Sequence, residues 1–331
     1  MTIPDEELDR LFRAAAPARL DTDVRLDAAA IGVRESIIRG TWRRHTRSSG
    51  RGLRWAAWAT ATVAVVAAVV VSATVLLPSH QAVALTPPPL TYGSAEPLSD
   101  VLADAHDALL SPPLIEQRPG VESVVWGWSA EMGTGHVEVV PQNVNFVWEP
   151  GGDATTTVTA GEPYWSDEDR PGGIEPSPYE PGELIDEVVM PAEQFLVPAA
   201  VADLSGSTPA ELESALSVFS AGPGASSGEL VAAMTGLLDY WTLSDDQHAT
   251  LLDLLQDAGG VVVRGETVDR LGRDVVGLRV SSIIPERVET VFVSMETGRI
   301  VGVESELVEP LDQLPAGVIT YTMWDVADRD G

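Results

Sequence analysis

The chain has no cysteine among its 331 residues. That excludes disulfides, thiol catalysis, Cys-ligated zinc and a lipoprotein anchor attached through Cys. Any exported domain must then be stable through its core alone. Residues 90–331 suffice, because a domain of about 150–240 residues buries roughly 70% of its unfolded surface. Lysine is absent too. All 20 basic residues are Arg, set against 50 acids, for a net charge of −30. Histidine is sparse. His45, His80, His106, His136 and His248 show no metal-ligand spacing and no H-E-x-x-H. There is no G-x-S-x-G, no P-loop and no G-x-G-x-x-G after a strand. With no nucleophile–base pair visible, the chain is expected to be non-enzymatic and to use no cofactor.

What is present is a long apolar run. Trp55 to Leu77 holds no charged residue in 23 positions. About 20 apolar residues cross a hydrocarbon core of roughly 30 Å, so 55–77 is expected to be a single transmembrane helix. Arg34, Arg39, Arg43, Arg44, Arg47, Arg51 and Arg54 precede it, and no basic residue follows until Arg118. Basic flanks stay inside, which places the N-terminus in the cytoplasm and the C-terminal part outside. The charge changes sign across the span. Residues 1–54 carry 11 Arg and 8 acids, net +3, and the rest carries 9 Arg and 42 acids, net −33. An exterior this acidic argues against nucleic acid as a partner. A solvated, solubilising surface is the expected role of the charge. Trp55 and Trp58 sit where interfacial anchors belong. Ala82-Val83-Ala84 resembles a signal-peptidase site, but the run is too long and too far from the start for a signal peptide, and an uncleaved anchor is expected.

Residues 3–20 and 24–42 read as two short amphipathic helices separated by Pro17. Leu8, Leu11 and Phe12 share one face, and Leu26, Val33 and Ile37 repeat at seven and four. Fifty residues make no sturdy core. Leu8, Leu11, Phe12, Val33 and Ile37 are therefore the candidate face for a cytoplasmic partner, in the helix-in-groove manner. A weakly ordered tail is the alternative. Residues 78–98, with Pro87-Pro88-Pro89, read as an extended linker.

Residues 99–331 are expected to form an extracytoplasmic α+β domain. Ser99 is a candidate N-cap for a helix with Val101, Leu102, Ala105 and Leu109 inward, ended by Pro112-Pro113. Val121–Glu131 and His136–Val140 read as a hairpin around Gly133-Thr134-Gly135, followed by strands at Asn143–Trp148 and Thr155–Ala160. Residues 161–198, rich in Pro, Gly and acids, read as a long surface excursion. Residues 206–258 turn helical. Thr208–Glu211 and Ser244–Gln247 are capping boxes, Leu230, Met234, Leu237 and Leu238 set an apolar face, and Gly259-Gly260 stops the last helix. Strands at Gly260–Val268, Asp274–Ser281, Glu289–Met295 and Arg299–Leu307 follow, with residues 317–325 as a last one. Helices and antiparallel strands in this order predict a curved antiparallel sheet with helices on one face.

Trp126 and Trp128 fall on one face of the predicted strand. They are candidates for lining an apolar ligand groove, or else for closing the core. His106 and His248 lie beside acids on predicted helices and read as surface residues. Ser166-Asp167-Glu168-Asp169 lacks the spacing of a calcium loop and reads as solvated acids.

Four features together carry a resemblance: the short helical N-terminus, the single span, the box at Thr208–Glu211, and the run V-V-V-R-G-E-T-V-D-R-L-G-R-D-V-V-G-L-R-V followed by F-V-S-M-E-T-G-R-I-V-G. The chain resembles uncharacterised actinobacterial single-pass membrane proteins with a large extracytoplasmic domain, often encoded beside extracytoplasmic-function sigma factors. The likeness covers most of the chain and is most specific at residues 261–302, where Gly272-Arg273 and Thr297-Gly298 match. Met295-Glu296 stands where other members tend to show Asp-Pro. The exterior is also distantly similar to lipoprotein-carrier and sigma-regulator sensor domains, a likeness of architecture alone. The resemblance implies a membrane-anchored signalling or envelope-sensing protein with a cytoplasmic partner such as a sigma factor. The other expectation is an anchored carrier for a lipid or another apolar envelope ligand. No catalytic residue is implied.

Overall fold

In the computed structural model the residues described are 87–126, 128–131, 136–139, 141–163, 174, 175, 177, 179–309 and 316–325. The expected span 55–77 and the partner face Leu8, Leu11, Phe12, Val33 and Ile37 lie outside them, as do Ser166–Asp169. Among the described residues, no helix is long and apolar enough to cross a membrane.

The described part is mixed α+β, built on one large antiparallel sheet. Its first helix, α1 (Leu98–Leu109), buries Val101, Leu102, Ala105 and Leu109, the face that the spacing predicts. The N-cap is Pro97 and not Ser99, whose hydroxyl instead donates to Asp100 Oδ1 at 3.0 Å. Proline fixes φ near the value a helix entry needs, so the helix begins two residues earlier.

The expected strand Val121–Glu131 divides in two. β2 (Val121–Trp126) belongs to the large sheet, and β3 (Trp128–Glu131) pairs with β4 (His136–Val139) in a separate three-stranded sheet. The hairpin is therefore present, but only its first half extends the main sheet. A short β1 (Arg118–Pro119) precedes them. β5 (Gln142–Trp148) and β6 (Ala154–Ala160) follow as predicted. The excursion over 161–198 is not all surface loop. It supplies β7 (Ile174–Glu175), parallel to β4, and β8 (Leu184–Met190), which pairs with β6 and ends the large sheet. The Pro and Gly around β8 masked its hydrophobic alternation, and an edge strand tolerates such residues best.

The helical block holds α2 (Ala199–Ala202), α3 (Pro209–Ser217), α4 (Ser227–Leu238) and α5 (Asp245–Ala258), with β9 (Trp241–Thr242) before the last. Capping boxes open α3 at Thr208 and α5 at Ser244, as expected. A third opens α4, where Ser226 and Glu229 cap each other's backbone amides. α5 stops at Gly259, whose φ of 71° suits only a residue without Cβ.

β10 (Val262–Val268), β11 (Asp274–Ser281), β12 (Arg287–Ser294), β13 (Ile300–Leu307) and β14 (Gly317–Trp324) complete the large sheet. Its order is β10-β11-β12-β13-β14-β2-β5-β6-β8, every neighbour antiparallel. Strand residues two apart share a face. One face presents Leu278, Val280, Val291, Val293 and Trp324 to a core shared with α1, α3, α4 and α5. The other also buries large side chains: Val275, Phe292, Tyr321, Met323 and Trp126. A sheet apolar on both faces explains why β12 carries the unbroken run Val291-Phe292-Val293 rather than an alternation.

Residues 87–97, expected to be a plain linker, are fastened to this sheet. Gly93 N–H donates to Glu266 O at 2.8 Å, Thr267 Oγ1 to Thr91 O at 2.9 Å, and Arg270 Nη1 to Pro88 O at 2.9 Å. The guanidinium of Arg264 lies 4.2 Å from the Tyr92 ring centroid.

Candidate functional site

α4 packs on β11 and β12. Between the helix and the sheet lies a small gap in the packing, about 10 Å³, lined by Val231, Met234, Thr235 and Leu238 from α4, Val291, Ile300, Gly302 and Val303 from β12 and β13, and Trp324 from β14. Thr235 is the one polar side chain in this lining. Its hydroxyl is turned back on the helix and donates to Val231 O at 2.9 Å. The walls are thus apolar in effect.

Polar groups adjoin two of its lining residues, Leu238 and Trp324. Trp324 Nε1 donates to Asp239 Oδ1 at 3.4 Å. Burial pushes the Asp239 carboxyl up to about 7, and the indole hydrogen bond opposes this only in part. Next to Trp324, Asp325 accepts from Arg299 Nε at 2.8 Å. Arg299 also donates to Asp245 Oδ1 at 2.6 Å and to Leu243 O at 2.9 Å. The start of α5, the turn before β13 and the end of β14 are therefore tied through one buried guanidinium. Arg273 grips the same corner, donating to Trp324 O at 2.6 Å and to Val301 O at 2.9 Å.

His248 is a correction. The expectation was a surface histidine, yet it is buried on α5, and its Nδ1 accepts from Ile300 N–H at 3.1 Å. Burial, and then the charge of Arg299, hold its pKa well below the usual range, so the ring is neutral. Two acids next to it in sequence suggested a wet helix face, but Asp245 is itself buried against Arg299. His106 is partly exposed as expected, 3.0 Å from Asp253 Oδ1.

The two tryptophans proposed for a groove fall on strands of different sheets. Trp126 ends β2 and Trp128 begins β3 in another sheet. Trp126 is fully buried and stacks on Tyr321, centroids 5.6 Å apart. Tyr321 and Trp324 are three apart on β14, hence on opposite faces. Trp126 therefore packs on the sheet face away from the cleft and serves the core. The indole that does line the cleft is Trp324, and nothing in its local sequence marks it. Its place is set by the register of β14 on β2, with Trp324 opposite Ser123. A second aromatic group, Phe146, Trp148, Phe195, Tyr240 and Trp241, meets edge to face. The indoles of Trp148 and Trp241 donate to Tyr240 O and Val201 O, which marks this group as structural.

Among the described residues no group of three or more His, Asp or Glu is placed to hold a metal ion. Comparison with known proteins gives no match: no family model fits the chain, and no curated protein and no solved structure matches it.

Proposed function

We propose that the chain is a single-pass membrane protein whose curved extracytoplasmic domain binds an apolar envelope ligand and reports it across the membrane. The apolar cleft under α4 carries the reading. Its lining has no titratable side chain, its one hydroxyl is satisfied within the helix, and it is roofed by a single helix resting on the sheet. Lifting α4 would widen it without breaking any β-ladder. The strap of residues 87–97 supports the reporting half of the proposal, because it ties the segment that follows the expected span to β10. The cytoplasmic residues 1–54, with Leu8, Leu11, Phe12, Val33 and Ile37, would then meet a partner such as a sigma factor.

Native mass spectrometry of the full chain released from nanodiscs tests the binding half. A co-purifying lipid or fatty acid that Val303→Phe excludes, with unchanged thermal unfolding, supports it. A chain that carries no apolar ligand and gains none on addition defeats it. Deleting residues 1–40 tests the reporting half, which fails if partner recovery and transcription stay unchanged.

A further inference from the structure

The turn between β10 and β11 reads Asp269-Arg270-Leu271-Gly272-Arg273. One buried carboxylate sets its shape. Asp269 Oδ1 accepts from the amides of Leu271 at 2.8 Å and Arg273 at 2.9 Å. Its Oδ2 accepts from Arg273 Nε at 2.7 Å. The Asp269 N–H donates to Arg273 O at 2.9 Å, and Gly272, with φ of +81°, donates its N–H to Asp269 O at 3.1 Å. An aspartate that occupies the amides of its own turn leaves that turn few alternative shapes. Both arginines therefore leave it from set positions.

The two arginines reach different parts of the molecule. Arg270 Nη1 donates to Pro88 O of the strap at 2.9 Å, and its Nε donates to Glu304 Oε2 at 2.9 Å. Glu304 is buried on β13. Arg273 holds the other side, donating from Nη1 to Trp324 O at 2.6 Å and from Nη2 to Val301 O at 2.9 Å. Trp324 in turn donates to Asp239 at the end of α4. Both guanidinium groups thus grip β13, at Val301 and at Glu304. Charge-assisted, forked bonds of this kind are directional, so a shift of the turn strains both grips at once. Residues in one such network depend on each other's positions.

We infer that the turn Asp269–Arg273 is the joint between the strap and the end of α4: docking of residues 87–93 on the sheet and seating of Trp324 against Asp239 reinforce each other through Arg270 and Arg273, which act as positioning residues. A coupling of this kind is reciprocal, so loosening either end loosens the other. It rests on the reporting half of the reading above and names the residues that carry the report out of the domain.

The test is hydrogen exchange of the full chain in nanodiscs, with no ligand added. The Gly93 amide, bonded to Glu266 O, reports the strap, and the Asp239 amide, bonded to Thr235 O at 3.1 Å, reports the end of α4. Tyr92→Ala withdraws the ring that rests on Gly277 and should speed exchange at Asp239 about threefold or more. Trp324→Phe removes the indole N–H and should do the same at Gly93. Amides of β6, in the far part of the sheet, should be unchanged in both variants, which a merely less stable fold would not allow. Added to either variant, Arg273→Gln should abolish the remote effect. If Arg273→Gln does not fold, Arg273→Lys takes its place, because one ammonium cannot fork to both carbonyls, and it should shrink the effect. Changes confined to the altered end overturn the joint, and so does an effect in one direction only. Equal acceleration in β6 overturns it too, as do remote effects that persist undiminished without Arg273. No ligand enters the measurement, so any of these failures leaves the apolar-ligand reading to its own test by native mass spectrometry.

Discussion

The indole of Trp324 donates its N–H to the carboxylate of Asp239 at 3.4 Å, joining the last strand of the sheet to the end of α4. Trp324 is also a wall of the cleft. A titratable carboxyl at the end of that helix is thereby bonded to one wall of the candidate site.

That coupling gives stability a definite pH dependence. The Asp239 carboxyl rises from 3.8 to about 7 in the folded chain, chiefly through burial. A raised acid favours folding in its protonated form. Its contribution is full below pH 4, declines between pH 4 and 7, and is lost above the folded value. At 1.36 kcal/mol per unit the swing is at most about 4 kcal/mol. Asp239→Asn keeps the neutral shape and should flatten this part of the profile. Urea denaturation of both proteins at pH 5 and pH 8 should show the variant gaining on the wild type at the higher pH. Parallel profiles would mean that Asp239 is solvated in the fold.

Arg299 illustrates what removing one centre of a buried network does. It is 2% exposed and holds Asp245, Asp325 and the carbonyl of Leu243 at once. Arg299→Ala would leave two partly buried carboxylates without their cation, a loss of about 3–5 kcal/mol. The double variant that also carries Asp245→Asn should recover part of this, because one orphaned charge is gone. Equilibrium unfolding of the two variants decides between a required network and a dispensable surface pair. A loss under 1 kcal/mol for Arg299→Ala would indicate the latter.

Much of the fold was legible because the local signals were strong. The face of α1, the capping boxes at Thr208 and Ser244, and the strands flanking Arg270-Leu271-Gly272 each have a short-range cause. The Ser226–Glu229 box was equally legible in type, an S-x-x-E ahead of an apolar run, and went unread because it lies in a stretch of Gly and Ser. β8 and the break of β2 from β3 were not legible, since both depend on which strand a segment finds as partner. The site was scarcely legible at all. Trp126 and Trp324 look alike in sequence, both aromatic residues at strand ends. Only the pairing of Trp126 with Tyr321 sends one to the back of the sheet and leaves the other under α4. His248 likewise gains its meaning from burial, which no spacing rule reports for a polar residue.

The turn before β13 carries a sharper expectation. Gly298 has φ of +73°, and a Cβ there would stand 2.1 Å from Ala105 O in the middle of α1. Gly298→Ala therefore combines a left-handed backbone with a clash against a helix carbonyl, which cannot swing aside as a side chain would. The cost should exceed the roughly 1 kcal/mol of the backbone strain alone, by as much as 2 kcal/mol if α1 is displaced. Thermal unfolding measures the sum. Hydrogen exchange at the α1 amides locates it, and unchanged protection there would show that the turn, not the helix, yields.

Reporting through the strap can be tested at a single glycine. A Cβ on Gly277 would lie 2.6 Å from Cε1 of Tyr92. Tyr92 is held between that glycine and the guanidinium of Arg264, and burial lifts its phenol to about 12. Gly277→Val puts a branched side chain where the ring rests. β11 should accept valine by propensity, so the sheet itself should keep its stability to within about 1 kcal/mol. The ring has no room and must leave. Two readouts follow from its release. The Gly93 amide, bonded to Glu266 O in the wild type, should exchange faster, and the Tyr92 phenol should titrate at a lower pH, nearer its ordinary value of 10. If ligand binding by the exterior is reported through residues 87–97, this variant should bind as the wild type does and yet lose the change at the cytoplasmic side. Loss of binding together with reporting would instead show that the strap supports the cleft.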